Sequence, residues 1–570
     1  MILSPEDKLH TYTARGWWGT VTLDELLRRI VSAHPDRMAV VDAPNRTAVT
    51  DGSPRRLRYA ELDALIDAYA DRLLDVGVSR DDIVLIQMPN VVETLALLLA
   101  CGRIGAVASP VAVQYREHEL AYIVDKLAPK AVATVARCGE TRMADLMVTS
   151  LKNTHSKARL LVWGETVPDG ALSMNDVAPG DRASARVAAY LEQNRADAND
   201  VFTICWTSGT ESKPKGVPRS HNHWIAIGKV VAAAAALKDG EVLLGPFPMI
   251  NMASIGGVLV PWVLCAGTMV LHHPFDLAVC LDQIQSERVN FNLLPPPVLN
   301  MLLRQKELLS KFDLSSLRAV CSGSAPLAPW MVQGWQNDYG ISIINYFGSN
   351  EGVALASSAI DVPDAVERAS YFPRFGVAGF DWAVDDAITF ETRLRDPVSG
   401  EIITTPGREG ELCIRGATVF EGYFKAPKMT LAAFDDDGFF RTGDLFVIAG
   451  SGPTPRYYQF VGRCKEIIIR GGQNISPAEM DNLIASHPAV AEAACVGLPD
   501  EAMGERLCAA IVVRQGAQLT LEDLNVYLKE RQVAIYKWPE RLLTVQQLPR
   551  NPVGKVVRDD LRRIALEAQG

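Results

Sequence analysis

Residues 201–216 read V-F-T-I-C-W-T-S-G-T-E-S-K-P-K-G and favour an α/β fold. The first six residues form an apolar run typical of a buried strand, and an Ala-rich helical pattern begins near His221. The loop between them, at residues 206–216, is crowded with Gly, Ser and Thr, and Lys213 and Lys215 add positive charge. Its backbone N–H groups and hydroxyls can surround a phosphate chain, although a flexible polar turn has the same composition. The loop does not match the Walker A pattern G-x-x-x-x-G-K-[ST].

The residues before this segment alternate between strand and helix patterns. Residues 58–77 have a helical apolar face that ends at Gly77. A short apolar strand run, I-V-L-I-Q-M-P-N, comes next and is followed by an apolar helix, E-T-L-A-L-L-L-A-C-G. The alternation also continues after residue 216, to about Asn345. It predicts a mostly parallel sheet buried on both faces.

The pattern changes after about residue 389. Short β runs between Gly, Asp and Pro turns predict a small antiparallel β subdomain at about 389–462. After Arg463 a strand run is followed by Ser476 at a helix N-cap, with Glu479 closing a capping box, and a second capped helix begins at Thr520. We therefore expect an N-terminal domain at 1–464 and a small α+β C-terminal domain at 465–570.

Bulk composition excludes several classes of protein. The chain has 570 residues and a net charge of −10, so several compact units are expected and a nucleic-acid binder is not. Ten cysteines occur singly without a C-x-x-C pair, which argues against a zinc site or a disulfide framework. The first ten residues lack a signal-peptide pattern, and we expect a cytoplasmic protein. Residues 245–271 carry no charge, but they contain three prolines and Gly256-Gly257, so a buried helix and strand are expected rather than stable membrane insertion.

Four further segments carry residues suited to nucleotide chemistry. They are N-Y-F-G-S-N-E-G at 345–352, R-T-G-D at 441–444, G-R-C-K-E-I-I-I-R-G-G-Q-N-I at 462–475 and L-P-R-N-P-V-G-K at 548–555. A carboxylate such as Glu351 suits Mg²⁺, Asp444 can accept two ribose hydroxyls, and the ammonium of Lys555 can offset the charge when two anions are joined. Taken singly, each is equally well a surface charge or a turn residue.

In this order the five segments resemble the motifs of the adenylate-forming superfamily, which includes acyl-CoA synthetases, peptide-synthetase adenylation domains, aryl-acid AMP ligases and luciferases. The resemblance covers nearly the whole chain. It implies a large N-terminal domain of βαβ-type sheets with a small β subdomain, followed by a mobile α+β C-terminal domain. The chain departs from the usual motifs at Glu211-Ser212, where Thr-Gly is usual, and at Asn350, where a hydroxyl residue is usual.

The resemblance also implies roles for individual residues. Phe347 would stack on adenine, Asp444 and Arg463 would contact the ribose, Glu351 would bind Mg²⁺ and Lys555 would be catalytic. The other implied ATP or AMP contacts are Thr207, Ser208, Gly209, Thr210, Lys215, Ser324, Ala325, Gly348 and Asn350. Lys465 falls at the interdomain hinge position, and Gly471 and Gly472 would line the tunnel for the thiol of coenzyme A.

The acyl pocket is expected around F-P-M-I-N-M-A-S-I-G-G at 247–257. The stretch is uncharged, which argues against an α-amino acid because an unpaired buried ammonium is costly. A-R-G-W-W at 14–18 and P-R-S-H-N-H-W at 218–224 resemble aryl-acid ligases, yet Asn251-Met252 stands where those carry His-Asn, so hydroxybenzoate is less expected. Candidate pocket residues, each with plain core packing as its alternative, are Trp224, Met249, Asn251, Met252 and Ser254.

These motifs predict an ATP- and Mg²⁺-dependent enzyme that activates a hydrophobic, alicyclic or aromatic carboxylic acid to acyl-AMP and transfers the acyl group to coenzyme A. One alternative is an aryl-acid adenylating enzyme that loads a carrier protein in trans. Another is a non-catalytic nucleotide-binding relative, which Glu211, Ser212 and Asn350 would favour. A homodimer is compatible with the sequence, which fixes neither the acid nor the oligomeric state.

Overall fold

The computed structural model describes residues 1–207, 214–451, 454–464, 466, 468–470, 473–500, 503–531, 533, 535–551 and 554–568, without the side chains of 469, 473 and 474. Up to residue 357 the elements are α1 (Glu6–Ala14), α2 (Leu23–Ala33), β1 (Met38–Val41), α3 (Arg46–Val49), β2 (Arg56–Arg58), α4 (Tyr59–Asp75), β3 (Ile83–Gln87), α5 (Val92–Arg103), β4 (Val107–Pro110), α6 (Glu117–Leu127), β5 (Ala131–Val135), α7 (Met143–Asn153), β6 (Arg159–Trp163), β7 (Leu172–Ser173), α8 (Asp181–Gln193), β8 (Val201–Thr207), β9 (Lys215–Ser220), α9 (His221–Ala234), β10 (Val242–Gly245), α10 (Met252–Ser254), a π-helix (Ile255–Leu259), α11 (Val260–Leu264), β11 (Thr268–Leu271), α12 (Leu277–Ser286), β12 (Phe291–Leu293), α13 (Pro296–Arg304), α14 (Lys306–Leu309), β13 (Ala319–Gly323), α15 (Pro329–Tyr339), β14 (Ser342–Gly348) and β15 (Ala354–Ser357).

The remaining elements belong to two smaller sheets and their helices. The first group is α16 (Ala365–Ser370), β16 (Tyr371–Pro373), a 3₁₀ turn (Asp385–Ala387), β17 (Phe390–Arg395), β18 (Ile402–Ile403), β19 (Gly410–Gly416), α17 (Pro427–Ala433), β20 (Phe440–Ala449) and β21 (Tyr457–Arg463). The second group is β22 (Ile468–Arg470), β23 (Gln473–Ile475), α18 (Pro477–Ala485), β24 (Val490–Asp500), β25 (Gly504–Val513), α19 (Leu521–Glu530), a 3₁₀ turn (Ile535–Lys537), β26 (Arg541–Thr544) and α20 (Arg558–Glu567).

Two mostly parallel sheets form the larger part of the fold. One has the strand order β15-β14-β13-β12-β10-β11-β1-β2 and the other β7-β6-β5-β3-β4-β8-β9. β9 and β15 lie at the edges of their sheets and pair antiparallel with β8 and β14. Buried side chains of α4, α5, α9 and the π-helix form one large core with residues of both sheets. The predicted alternation of strands and helices is therefore confirmed.

The smaller sheets follow in sequence. The antiparallel sheet β16-β21-β20-β19-β17-β18 occupies the region predicted as a β subdomain, and β16 joins it from upstream of residue 389. The last sheet has the order β23-β22-β25-β24, with β26 parallel to β25, and has separate apolar clusters on its two sides. The domain boundary itself stays a prediction. Within the described residues no helix is both long and apolar enough to cross a bilayer.

Local signals account for the ends of some elements. α4 ends at Asp75, and Gly77 follows with φ +81°, a left-handed conformation that glycine adopts without strain. Thr520 caps α19 in a reciprocal capping box with Asp523. Ser476 caps α18 by accepting the N–H of Glu479, but the Glu479 carboxylate binds Lys537 Nζ at 2.8 Å and does not close the predicted capping box. A charged partner in another element has replaced the local hydrogen bond.

The segment around the phosphate loop differs from the predicted strand–loop–helix. An additional strand, β9, runs antiparallel to β8 before α9 begins at His221. Its sequence, K-G-V-P-R-S, contains Gly216 and Pro218, which are residues that strands usually lack. Proline is tolerated because β9 is the edge strand of its sheet, where an N–H donor is not required on the outer side.

Candidate active site

The predicted phosphate loop connects β8 to β9. Thr207, the last residue of β8, pairs with Lys215, the first residue of β9. Lys215 Nζ lies 5.2 Å from the centre of the Tyr423 ring, over its face. The remaining predicted contacts of this loop and its unusual residues, Ser208, Gly209, Thr210, Glu211 and Ser212, lie outside the described residues, and their roles stay predictions.

Glu351 lies on the turn between β14 and β15 and contacts the same tyrosine. Tyr423 OH donates to Glu351 Oε1 at 3.0 Å, so Tyr423 links the predicted magnesium ligand to Lys215 at the base of the loop. The part of the chain that the structure describes contains no cluster of three or more His, Cys, Asp or Glu side chains arranged for a metal. A single carboxylate nevertheless fits Mg²⁺ that binds with a nucleotide, because phosphate oxygens and waters supply the other ligands.

Asn350 holds two of the predicted motifs together. Its side chain is buried, its Oδ1 accepts the N–H of Met252 at 2.7 Å, and its Nδ2 donates to the carbonyl of Trp206 at 3.5 Å. The amide therefore fastens the end of β8 to the start of α10. A contact between Asn350 and phosphate stays a prediction.

The predicted adenine residues lie where β13 and β14 end. Phe347 is half-buried, with its ring T-shaped against Phe446 at 5.0 Å and tilted against Phe460 at 6.0 Å. Ser324 and Ala325 are exposed in the loop after β13, and Gly348 is exposed at the end of β14. Because Phe446 is on β20 and Phe460 on β21, Phe347 packs against the two strands that carry the predicted ribose pair.

That pair is formed across the antiparallel ladder. Asp444 on β20 lies opposite Arg463 on β21, and Arg463 Nε is 3.2 Å from Asp444 Oδ1. Asp444 is buried, which raises the pKa of its carboxyl to about 6 even though Arg463 and Lys555 both favour the charged form. A buried carboxylate paired with a guanidinium can accept two vicinal hydroxyls through its remaining lone pairs.

Lys555 interacts electrostatically with this pair. Burial and the nearby Arg463 lower the pKa of its ammonium to about 8, although Asp444 and Glu466 oppose the shift. The lysine sits in a tight turn in which its N–H donates to Asn551 Oδ1 at 2.9 Å and its carbonyl accepts the Asn551 N–H at 2.8 Å. The chain thus places a cation from its C-terminal part beside Asp444 and Arg463.

The predicted hinge lies between well-anchored neighbours. The N–H of Cys464 donates to the carbonyl of Gly443 at 2.8 Å, and Glu466 binds Arg558 Nε of α20 at 2.9 Å. Lys465 itself, and the predicted tunnel glycines Gly471 and Gly472, lie outside the described residues.

Three of the predicted acyl-pocket residues are buried in the same apolar core. Trp224, Met249 and Met252 are each at most 5% exposed, and Trp224 Nε1 donates to Thr203 Oγ1 at 2.8 Å. A Cβ placed on Gly256 would stand 3.2 Å from the Trp224 ring and 3.0 Å from the Met252 sulfur, so these side chains pack on the π-helix. π-helical turns are rare and frequently occur at functional sites.

The other two predicted pocket residues are polar. Asn251 Oδ1 caps α10 by accepting the N–H groups of Ala253 and Ser254 at 3.1 and 3.4 Å. The Ser254 hydroxyl is buried and has no hydrogen-bond partner among the described residues. The side-chain oxygen of Asn251 therefore already accepts two backbone hydrogen bonds. The Ser254 hydroxyl is the polar group of this segment that could still bind a ligand.

Arg219, which the sequence motifs did not single out, lies in the same region. It is fully buried on β9, and none of its three nitrogens has a hydrogen-bond partner in the described part of the chain. Its guanidinium lies 5.2 Å from the centre of the Trp224 ring, a cation–π contact that stabilises a desolvated cation by about 2 kcal/mol. Desolvating an ion costs several kcal/mol, so this contact alone does not offset burial. Burial accordingly lowers the pKa of Arg219 to about 10.

Residues near the N-terminus pack against the elements that form this site. Trp18 Nε1 donates to the carbonyl of Ala417 at 3.1 Å, and its ring is T-shaped against His223 at 5.2 Å. Lys8 Nζ binds Glu421 at 2.7 Å, and Lys8 and His223 hold the pKa of that carboxyl at about 2 although burial opposes them. This segment therefore fixes the loop that carries Tyr423 to the start of α9.

Two comparisons of sequence agree with this arrangement. Residues 27–424 match the AMP-binding enzyme family, and residues 479–555 match the C-terminal domain of AMP-binding enzymes. The chain is 29% identical over 566 residues to the medium-chain fatty-acid–CoA ligase of Escherichia coli (strain K12), covering 98% of this chain and 93% of that protein. It is 30% identical over 562 residues to a salicylyl-CoA synthase / salicylate adenylyltransferase of Streptomyces sp, covering 98% and 96%.

A comparison of structures gives the same result. The chain resembles the crystal structure of ATP-bound MatB from Rhodopseudomonas palustris with a TM-score of 0.76 and 26% identity, covering 95% of this chain and 99% of that one. The predicted α/β class, with large N-terminal sheets and a smaller C-terminal α+β part, is confirmed. The protein thus belongs to the AMP-binding enzymes of the adenylate-forming superfamily.

Proposed function

We propose that the chain is an acid–thiol ligase that activates a carboxylic acid with ATP and transfers the acyl group to coenzyme A. In the first step a carboxylate oxygen attacks the α-phosphorus of ATP, the bond to pyrophosphate breaks, and acyl-AMP forms. In the second step the thiol sulfur attacks the acyl carbon, the carbon–oxygen bond breaks, AMP departs with the electron pair, and the thiol proton is lost.

The observation that carries the proposal is the interaction of Lys555 with Asp444 and Arg463. Asp444 and Arg463 would hold the ribose, which leaves the Lys555 ammonium beside the nucleotide. Bringing a carboxylate to a phosphate concentrates negative charge, and a fixed cation in a water-poor site stabilises that charge as it develops. Mg²⁺ held by Glu351 would neutralise phosphate oxygens during this step.

Thiol attack would need a second arrangement of the C-terminal domain. Lys555 and the predicted tunnel glycines belong to the same domain and would each need to face the same reacting atoms. We therefore assign Lys465 as the hinge about which residues 465–570 rotate after adenylation. Similarity to a fatty-acid–CoA ligase and to a salicylyl-CoA synthase supports coenzyme A as the acceptor.

The test is ATP–pyrophosphate exchange over a panel of aliphatic, alicyclic and aromatic acids. We expect exchange with at least one acid, and Asp444→Ala should raise the KM for ATP in that reaction. Exchange with no acid would favour the non-catalytic alternative.

The acceptor needs its own experiment. Loading of a holo-carrier protein is kept as the second candidate because one relative, 29% identical over 561 residues, is named a salicyl-AMP ligase / salicyl-S-ArCP synthetase. With the identified acid, coenzyme A should be acylated at a higher kcat/KM than a holo-carrier protein. The reverse preference would replace the proposed acceptor while leaving adenylation in place.

A further inference from the structure

Arg219 is a buried cation that the proposed reaction does not use. The other fully buried arginines of the described chain have partners: Arg103 binds Asp24 at 2.8 Å and Asp67 at 2.7 Å, and Arg368 donates to the carbonyls of Ile343 and Val362. Arg219 has no hydrogen bond among the described residues. Its Nη1 stands 2.6 Å from where a Cβ on Gly352 would lie, so the guanidinium is directed at the turn that follows β14.

Glu351, Tyr346 and Glu421 interact electrostatically with Arg219, but none of them hydrogen-bonds to it. The Tyr346 hydroxyl is fully buried without a partner in the described chain, and it interacts electrostatically with Arg219. The nearby carboxylates have other partners, since Glu351 accepts from Tyr423 and Glu421 accepts from Ser4 and Lys8. A buried set of unused donors is the chemistry of a site that receives an acceptor oxygen from a ligand.

The position of Arg219 favours the acyl group over the phosphates as that ligand. Lys215 and Arg219 are four residues apart on β9, which corresponds to about 13 Å along a strand. Lys215 is the residue at the base of the phosphate loop. Arg219 instead contacts Trp224, whose ring packs against Gly256 of the π-helix in the predicted acyl pocket.

We propose that Arg219 is a specificity-determining residue that pairs with an acceptor oxygen on the acyl part of the substrate, with the Tyr346 hydroxyl as a second donor. The acid would carry a second carboxylate, or a hydroxyl or carbonyl oxygen on a ring. This inference rests on the proposed acid activation and narrows its substrate class. A site built to hydrogen-bond a substrate group rejects an analogue that lacks it far more strongly than an apolar pocket rejects a missing methylene.

The experiment is pyrophosphate exchange with matched pairs of acids that differ only in the added oxygen. Suitable pairs are benzoate with each hydroxybenzoate or benzenedicarboxylate, and hexanoate with adipate. We expect wild-type enzyme to prefer the oxygen-bearing member of at least one pair by about 100-fold in kcat/KM, and Arg219→Met to reduce that ratio at least tenfold. Tyr346→Phe should reduce it less.

Two outcomes would overturn the inference. In the first, Arg219→Met leaves the preference for the oxygen-bearing acid unchanged, lowers kcat/KM for both acids of the pair and raises the KM for ATP. Arg219 would then act by positioning Glu351 and not by contacting the acid. The other is a wild-type preference for the member without the oxygen in every pair.

The stability of the ligand-free enzyme gives a readout that does not depend on knowing the acid. Replacing an unpaired buried charge by an apolar side chain of similar length removes a desolvation cost, so Arg219→Met should unfold at a higher temperature than wild type. If Arg219 instead had a structural role, Arg219→Met would unfold at a lower temperature than wild type, and that result would contradict the inference. Absence of exchange with every acid would instead count against the proposed function.

Discussion

At the scale of single residues, Lys555 and Asp444 shift each other's titration. Burial lowers the pKa of Lys555 to about 8 and raises that of Asp444 to about 6. The proposed chemistry needs a charged ammonium and an ionised carboxylate, which coexist between these two values. Adenylation should therefore be lost as pH rises through about 8, when the lysine deprotonates, and as pH falls through about 6, when the aspartate is protonated.

This prediction is checked by the pH profile of kcat/KM for ATP in the exchange reaction. Lys555→Arg should move the basic limb upward, because a guanidinium stays charged well above pH 8. If the basic limb stays in place in Lys555→Arg, the group responsible for that limb is not Lys555.

At this scale the sequence singled out residues only where a local motif contains them, and their roles stay predictions. Asp444 and Arg463 occur in short recognisable segments, and the fold brings them into one pair. Tyr423 and Arg219 were missed because their significance comes from partners distant in sequence: Tyr423 joins Lys215 to Glu351, and Arg219 meets Gly352. The only hint was P-R-S-H-N-H-W at 218–224, which indicates a type of relative but gives Arg219 no role.

At the scale of elements, the turn between β14 and β15 has no room for a side chain at Gly352. Gly352 adopts φ +112°, and a Cβ there would collide with the carbonyl oxygen of Thr418. Gly352→Ala should lower the unfolding temperature and also reduce adenylation, since Asn350 and Glu351 belong to the same turn. Gly379→Ala is the matched control, because Gly379 has φ +90° but no neighbouring atom within 4 Å.

The control isolates backbone strain, which costs about 1–2 kcal/mol for a residue with a side chain in a left-handed conformation. We expect Gly352→Ala to destabilise the protein by clearly more than Gly379→Ala in thermal or urea unfolding. Equal effects would show that the turn tolerates the collision and does not fix Glu351.

Elements were predicted where hydrophobic periodicity is long and regular, as in α4, and less well where an edge strand carries proline. β9 was missed for that reason, although β8 and α9 on either side were recognised. The prediction of a Glu479 capping box was wrong because Lys537, in the 3₁₀ turn that follows α19 in sequence, binds the same carboxylate. Such competition depends on tertiary packing, which no local pattern contains.

At the scale of the whole molecule, the N-terminal segment supports a site formed by residues several hundred positions later. Trp18 is 2% exposed and bonds the carbonyl of Ala417. Trp18→Ala should cost about 3–5 kcal/mol, as for other buried aromatic truncations, and should lower adenylation because the loop bearing Tyr423 loses its support. Chemical unfolding and exchange rates measure the two effects.

Trp17→Ala provides the comparison, because Trp17 is only partly buried beside Tyr12 and Arg15. It should cost markedly less stability than Trp18→Ala. A Trp18→Ala variant with wild-type stability and activity would contradict the proposed support.

The central claim is that a cation from the C-terminal part of the chain serves adenylation and not thiol transfer. The most direct measurement compares the two half-reactions of Lys555→Ala, using pyrophosphate exchange for the first and supplied acyl-AMP with coenzyme A for the second. Lys537→Ala, which removes a C-terminal lysine paired with Glu479, is the control and should match wild type in both. We predict that Lys555→Ala slows adenylation about 100- to 1,000-fold and leaves thiol transfer within a few-fold of wild type; an equal loss of both half-reactions would contradict the account.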